Sequence, residues 1–270
     1  VQKINGGQLG LRIAALSYLI LFVCIPVVVV AVEGLRGGIE LFAGAVTRPT
    51  AVNAMLLSVW TAGVMAGINT LMGTLTAYVL VAYRFPGKRV LSTLIDLPFA
   101  IPSLVTGVML ALLYGPQTAI GGFFEKTLSL KVIYAPPGIV LALLFINYPF
   151  VIRTVQPVLA ELDFSQQEAA YTLGASPFKT FRRIIFPTIR PAMVTGALLS
   201  FARALGEFGS IIVVSGNIPN RTQTASVYIY GQVESGNMQG ASAISLVLLL
   251  VAFTVTMTVD FVLRRGGTDA

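Results

Sequence analysis

Of the 270 residues, 56% are apolar and only 11% carry a charge, which no water-soluble core and surface would give, so lipid is the solvent for most of the chain. The formal net charge of +7 would suit nucleic acid, but basic residues of membrane proteins collect in cytoplasmic loops, so their positions decide. There is no histidine and a single cysteine, Cys24, which argues against metal chemistry, imidazole-based hydrolysis and an internal disulfide.

Residues 11–32 form the first nearly charge-free run. It is longer than the apolar core of a secretory signal and no small-residue cleavage site clearly follows, so it is read as a retained helix. Residues 54–83 are uncharged and residues 91–114 carry only Asp96; each run is long enough for a hydrocarbon core of about 30 Å. In the third run Pro98 and Pro102 stand four apart and predict a bend, which serves packing or gating equally. A shorter fourth span covers residues 139–155. A fifth, residues 191–216, holds Arg203 and Glu207, and a sixth, residues 240–263, ends near Asp260. The expected fold is an all-α integral membrane protein of six transmembrane helices, with residues 1–270 forming one domain.

A cytoplasmic amino terminus puts twelve basic residues on inner segments: Lys3, Arg12, Arg84, Lys88, Arg89, Arg153, Lys179, Arg182, Arg183, Arg190, Arg264 and Arg265. Five remain outside, Arg36, Arg48, Lys126, Lys131 and Arg221. That bias places both termini in the cytoplasm and accounts for the basic charge without nucleic acid.

The longest inner segment, residues 153–190, describes two short helices. Ser165 followed by Glu168 is a capping-box pattern, and Gly174 supplies the left-handed residue that ends a helix. Ser176 and Pro177 then give an N-cap and a first helical residue. On the second helix Phe178, Phe181 and Ile185 share a face, until Pro187 interrupts the pattern.

This segment also resembles a known signature. Glu168-Ala169-Ala170, then three residues and Gly174, then nine residues and Ile184-Ile185-Phe186-Pro187, look like the EAA motif of bacterial binding-protein-dependent ABC importer permeases, with Phe186 where that family usually has leucine. The resemblance implies that a loop at about residues 156–190 docks in a groove of an ATPase subunit. Its contacts would be Gly174, Ala175, Ser176, Pro177 and Phe178. Glu168 either caps its own helix or touches that partner, and both readings stand.

The resemblance runs along nearly the whole chain. Asp96-Leu97-Pro98-Phe99-Ala100-Ile101-Pro102, Val151-Ile152-Arg153-Thr154-Val155-Gln156-Pro157-Val158-Leu159, Leu205-Gly206-Glu207-Phe208-Gly209 and Ser215-Gly216-Asn217-Ile218-Pro219 look like the sulfate/thiosulfate permeases, closest to their T-subunit branch. Such a resemblance implies the type I ABC importer architecture in a bacterial inner membrane. The partners would be a related W-type permease, two ATPase subunits and a periplasmic or lipid-tethered sulfate-binding protein. It further implies no cofactor on this chain, with ATP and Mg on the ATPase. The Glu-Phe-Gly segment is shared with molybdate permeases, so thiosulfate, molybdate and tungstate stay open beside sulfate. No G-x-x-x-x-G-K-[ST] phosphate cradle occurs, in keeping with a transport subunit that has no catalytic residues of its own.

Arg203 and Glu207 stand four apart and, counted from Pro191, near the middle of the fifth span. Charges there cost at least about 2.5 kcal/mol each on insertion scales, so they mark either a translocation pathway or a mutual pair. A dianion would be drawn to Arg203 and repelled by Glu207, which disfavours a tight anion trap. The outer loops are too short for a substrate-capturing domain, so capture belongs to another chain.

Overall fold

In lipid every backbone amide must be bonded within its own segment, so long apolar runs become helices. The structure, a computed structural model, describes residues 6–162 and 164–266, and these form helices and turns with no strand among them. Asp163 lies outside the described residues. The candidate spans are α1 (Leu9–Leu35), α3 (Pro49–Ala82), α7 (Pro136–Ala160), α9 (Pro177–Leu205) and α12 (Met238–Gly266). Between them lie α2 (Gly38–Val46), α4 (Lys88–Ala100), α5 (Ser103–Tyr114), α6 (Ala119–Leu128), α8 (Phe164–Thr172), α10 (Gly209–Ser215) and α11 (Ala225–Glu234).

One expectation is borne out by these boundaries and one is corrected. The third span is bent as Pro98 and Pro102 predict, by 109° between α4 and α5 at Ile101-Pro102. Pro102 has no amide hydrogen to carry the ladder onward, and Ile101 before it is extended at φ −87° and ψ 126°. The fifth span, in turn, starts at Pro177 instead of Pro191. Pro187 does not stop α9, because residues Phe181–Ile185 form a π turn in which the Phe186 amide donates to the Phe181 carbonyl, and Pro187 falls in the first turn of the α-helix beyond it. The second short inner helix and the fifth span are therefore one rod. The fourth span is longer than expected, 25 residues, with Pro149 and Pro157 inside it.

The core is built where α3, α7 and α9 come together. A Cβ at Gly73 would lie 2.9 Å from the Val151 Cβ, and one at Gly196 would lie 3.0 Å from the Val151 Cα, so both neighbours approach α7 at the same residue. Small residues at such crossings let backbones pack closely where no hydrophobic effect drives helices together. On one side of this crossing Ala77, Leu80, Ile152, Val155, Ile185 and Ile189 are buried together; on the other, Met65, Ile139, Leu143, Phe201, Ala204 and Leu205. Helix α10 packs on α5, where a Cβ at Gly107 would come within 2.7 Å of the Ser210 carbonyl oxygen. Helix α1 lies outermost against α12, with Leu16, Leu21, Val28 and Val32 all more than half exposed, a lipid-facing surface.

Candidate coupling turn and translocation site

The turn between α8 and α9 is set by local hydrogen bonding. Gly174 sits at φ +78°, its amide donates to the Tyr171 carbonyl at 2.9 Å, and the Ala175 amide donates to the Ala170 carbonyl at 2.9 Å. These bonds satisfy the carbonyls orphaned at the end of α8. Ser176 Oγ accepts from the Lys179 amide at 3.3 Å, so Ser176 caps α9 and Pro177 is its first residue, as its sequence predicts. The expected capping box is shifted: α8 already starts at Phe164, which puts Ser165 inside the helix and not at its cap. Glu168 and Ala169 are exposed and Ala170 half-buried.

The turn presents apolar side chains outward. Leu173 is 88% exposed, Phe178 72% and Tyr171 45%, whereas Ile185 on the same rod is buried at 1%. Phe178 thus leaves the face that was expected to join it to Phe181 and Ile185. Ile184 is half-buried and Pro187 exposed. Among the described residues, its two chain neighbours apart, no heavy atom lies within 4 Å of where a Cβ on Gly174 would stand, so the space beside that glycine is open.

Arg203 and Glu207 do meet, though not on one continuous helix face. Arg203 lies in the last turn of α9, and Glu207 lies beyond its end, in the break before α10. Arg203 Nη1 donates to Glu207 Oε2 at 2.9 Å. Glu207 Oε1 accepts from the Ser210 amide and hydroxyl, each at 3.2 Å, and the Ser226 hydroxyl donates to the Glu207 carbonyl at 2.6 Å. The carboxylate therefore staples the end of α9 to the start of α10 and, through its backbone, to α11. Its side chain is 2% exposed and that of Arg203 44%. A cavity of about 780 Å³ between α3, α5 and α7 is walled mainly by apolar groups such as Met72, Leu110 and Leu144, and neither Arg203 nor Glu207 lines it.

A second charged pair escaped the sequence reading because its members are 57 residues apart. Arg153 Nε donates to Asp96 Oδ1 at 2.7 Å, and Nη2 bonds both Asp96 Oδ2 and the Ser92 carbonyl. Nη1 donates to Gln156 Oε1 at 2.9 Å. Arg153, counted above with the inner loops, lies within α7 and clamps α4 beside the bend.

Residues 69–266, well over half of the chain, match the family described as the binding-protein-dependent transport system inner membrane component. The chain belongs to this family. Membership carries a separate ATPase subunit and a binding protein with it. The sulfate transport system permease protein CysT of Synechocystis sp. is 36% identical to this chain, covering 94% of it and 88% of that protein. The CysT of Salmonella typhimurium is 40% identical, covering 82% and 80%, and the probable cysT permease of Nephroselmis olivacea 39%, covering 92% and 87%. Among solved structures, a chain of a bacterial ABC transporter that imports the acidic polysaccharide alginate superposes with a TM-score of 0.77 at 16% identity, covering 95% of this chain and 94% of that one. At that identity the likeness shows the fold alone, that of a type I importer permease.

Proposed function

We propose that this chain is the T-type transmembrane subunit of an ATP-driven importer that carries sulfate into the cytoplasm. The observation that carries the reading is the identity of 36–40% with sulfate permeases over 82–94% of this chain, the coupling turn and the Arg203–Glu207 break included. Those relatives favour sulfate over the molybdate or tungstate alternative. The chain works as one transmembrane unit, has no catalytic centre of its own, and pairs with a W-type permease. Two ATPase subunits supply the energy and hold the ATP and Mg; a periplasmic or lipid-tethered protein delivers the anion.

On this reading the exposed turn formed by Gly174, Ala175, Ser176, Pro177 and Phe178 seats in the ATPase groove. Small residues let its backbone approach closely, and the outward Phe178 is the anchor. From this turn α9 runs 29 residues, about 43 Å, without a break. ATPase closure would move the rod, and the movement would reach the Arg203–Glu207 staple at its far end. Because Glu207 already neutralises part of Arg203, a dianion would be held weakly enough to leave.

The test is radiolabelled sulfate uptake by cells lacking this chain and complemented with it, competed by thiosulfate, molybdate or tungstate. Uptake restored and blocked by unlabelled sulfate but not by molybdate supports the reading. Restored uptake that molybdate blocks more strongly than sulfate overturns the substrate assignment.

A further inference from the structure

The inner part of α9 carries two neighbouring features beside the coupling turn, which shares Phe178 with the first of them. Lys179, Arg182 and Arg183 surround a cavity of about 340 Å³ together with Phe178. All three cations are exposed, and among the described residues none has an ion-pair partner. Higher on the same helix, Phe181, Phe186 and Met193 face Leu71, Leu75 and Tyr78 of α3 across a groove of about 420 Å³. The groove opens outward, since Leu71 is 65% exposed and Leu75 57%.

One polar group interrupts its apolar wall. Thr74 is 7% exposed and among the described residues its Oγ1 has no hydrogen-bond partner, whereas Thr61, Thr70 and Thr76 of the same helix each bond back to the carbonyl four residues earlier. A buried hydroxyl left unpaired is costly, and because Thr74 lines the groove, a polar atom of the groove's occupant could pair it. The depths are ordered. Tyr78 packs edge-on against Phe181 with ring centroids 6.3 Å apart, next in sequence to Arg182, and Thr74 lies one turn, about 6 Å, farther along α3.

Cations at the open end, a hydroxyl one turn deeper and an apolar groove beside it repeat the order of a glycerophospholipid: phosphate, ester, acyl chain. We propose that α3 and α9 form a binding site for one anionic phospholipid, its phosphate on Arg182, Arg183 and Lys179, an ester oxygen at Thr74 and one acyl chain in the groove. A zwitterionic head group would bring its own ammonium to three unpaired cations, so net negative charge is selected. An acidic protein surface would satisfy the cations, but it would leave both the groove and Thr74 without a partner.

The full complex, reconstituted in nanodiscs with equal phosphatidylglycerol and phosphatidylcholine, tests this by native mass spectrometry. Wild type is expected to retain phosphatidylglycerol in preference. The Arg182→Gln/Arg183→Gln variant should lose about tenfold or more of that preference, as expected for charge-assisted bonds, and the near-isosteric Thr74→Val severalfold. Excess glycerol 3-phosphate or sulfate should not displace the lipid. Equal retention of both lipids, displacement by either soluble anion, or unchanged preference in the arginine variant overturns the proposal. Loss of the ATPase subunit from that variant, with lipid retention intact, would assign the cations to the protein partner instead.

Discussion

The Arg203–Glu207 staple makes a quantitative prediction because its two partners are held unequally. Glu207, 2% exposed, accepts from Arg203 and twice from Ser210, while Arg203, 44% exposed, is bonded only to Glu207. Glu207→Gln keeps the volume but turns an amide NH2 or a neutral oxygen toward the guanidinium. Breaking a buried pair is costly because it strands the remaining charge, and Glu207 is the buried member, so Arg203→Gln, which leaves its carboxylate with only the two neutral Ser210 donors, should cost about 3 kcal/mol. Glu207→Gln strands the partly exposed Arg203 and keeps an oxygen for the Ser210 donors, so its loss should be about 1–2 kcal/mol. In the double variant two amides face each other, and stability should return to within about 1 kcal/mol of wild type, a coupling energy readable from the double-mutant cycle. The measurements are yield and thermal midpoint of the purified complex, with sulfate uptake beside them. The staple reading fails if Glu207→Gln costs as much stability as Arg203→Gln, or if the double variant is worse than either single one. Uptake separates the pathway role: the double variant should assemble and still lose transport, and full uptake with normal yield would remove Arg203 from the anion's route.

Gly174→Asn should insert and fold normally, because asparagine tolerates the left-handed backbone and among the described residues no atom occupies the space. It should nevertheless lose stimulated ATP hydrolysis, and Gly174→Asp likewise; normal hydrolysis by either variant, well expressed, rejects close docking at this turn. Arg153→Lys cannot reproduce the fork onto Asp96 and Ser92, so amides of residues 88–100 should exchange faster by hydrogen-exchange mass spectrometry, with about 1–2 kcal/mol less protection. Unchanged exchange would make the clamp ornamental. In a Cys24→Ser background, cysteines at Lys179 and Arg221 should label from opposite sides of the membrane, and labelling of both from outside breaks the assigned topology.

The spans were legible because lipid leaves a one-dimensional trace: uncharged runs of the right length, bounded by basic residues. The turn at Gly174 and Ser176 was equally plain, since caps are local chemistry within four residues. Breaks and continuations were harder. Pro98 and Pro102 marked the bend, yet hydropathy runs straight across residues 91–114, and nothing in apolar content distinguishes a bent pair from a straight helix. Pro187 misled in the opposite direction, because nothing in the residue pattern announces the π turn at Phe181–Ile185 through which α9 continues. The Arg203–Glu207 pair followed from spacing alone, but its role as a staple needed Ser210 and Ser226 brought in by the fold. Nothing in the sequence links Asp96 to Arg153; only the crossing of α4 and α7 does.

The contact of Gly196 with Val151 offers α9 a fulcrum within its long packing face on α7. A rod turning about that contact would have unequal arms. Gly196 is about 28 Å along the axis from Pro177 but only about 10 Å from Arg203. Rocking about this fulcrum would convert a push of about 1 Å at the inner end into roughly 0.4 Å at the outer end, with force multiplied nearly threefold. Such a reducing lever is poorly suited to swinging helices apart. It is well suited to parting a short, stiff ion pair.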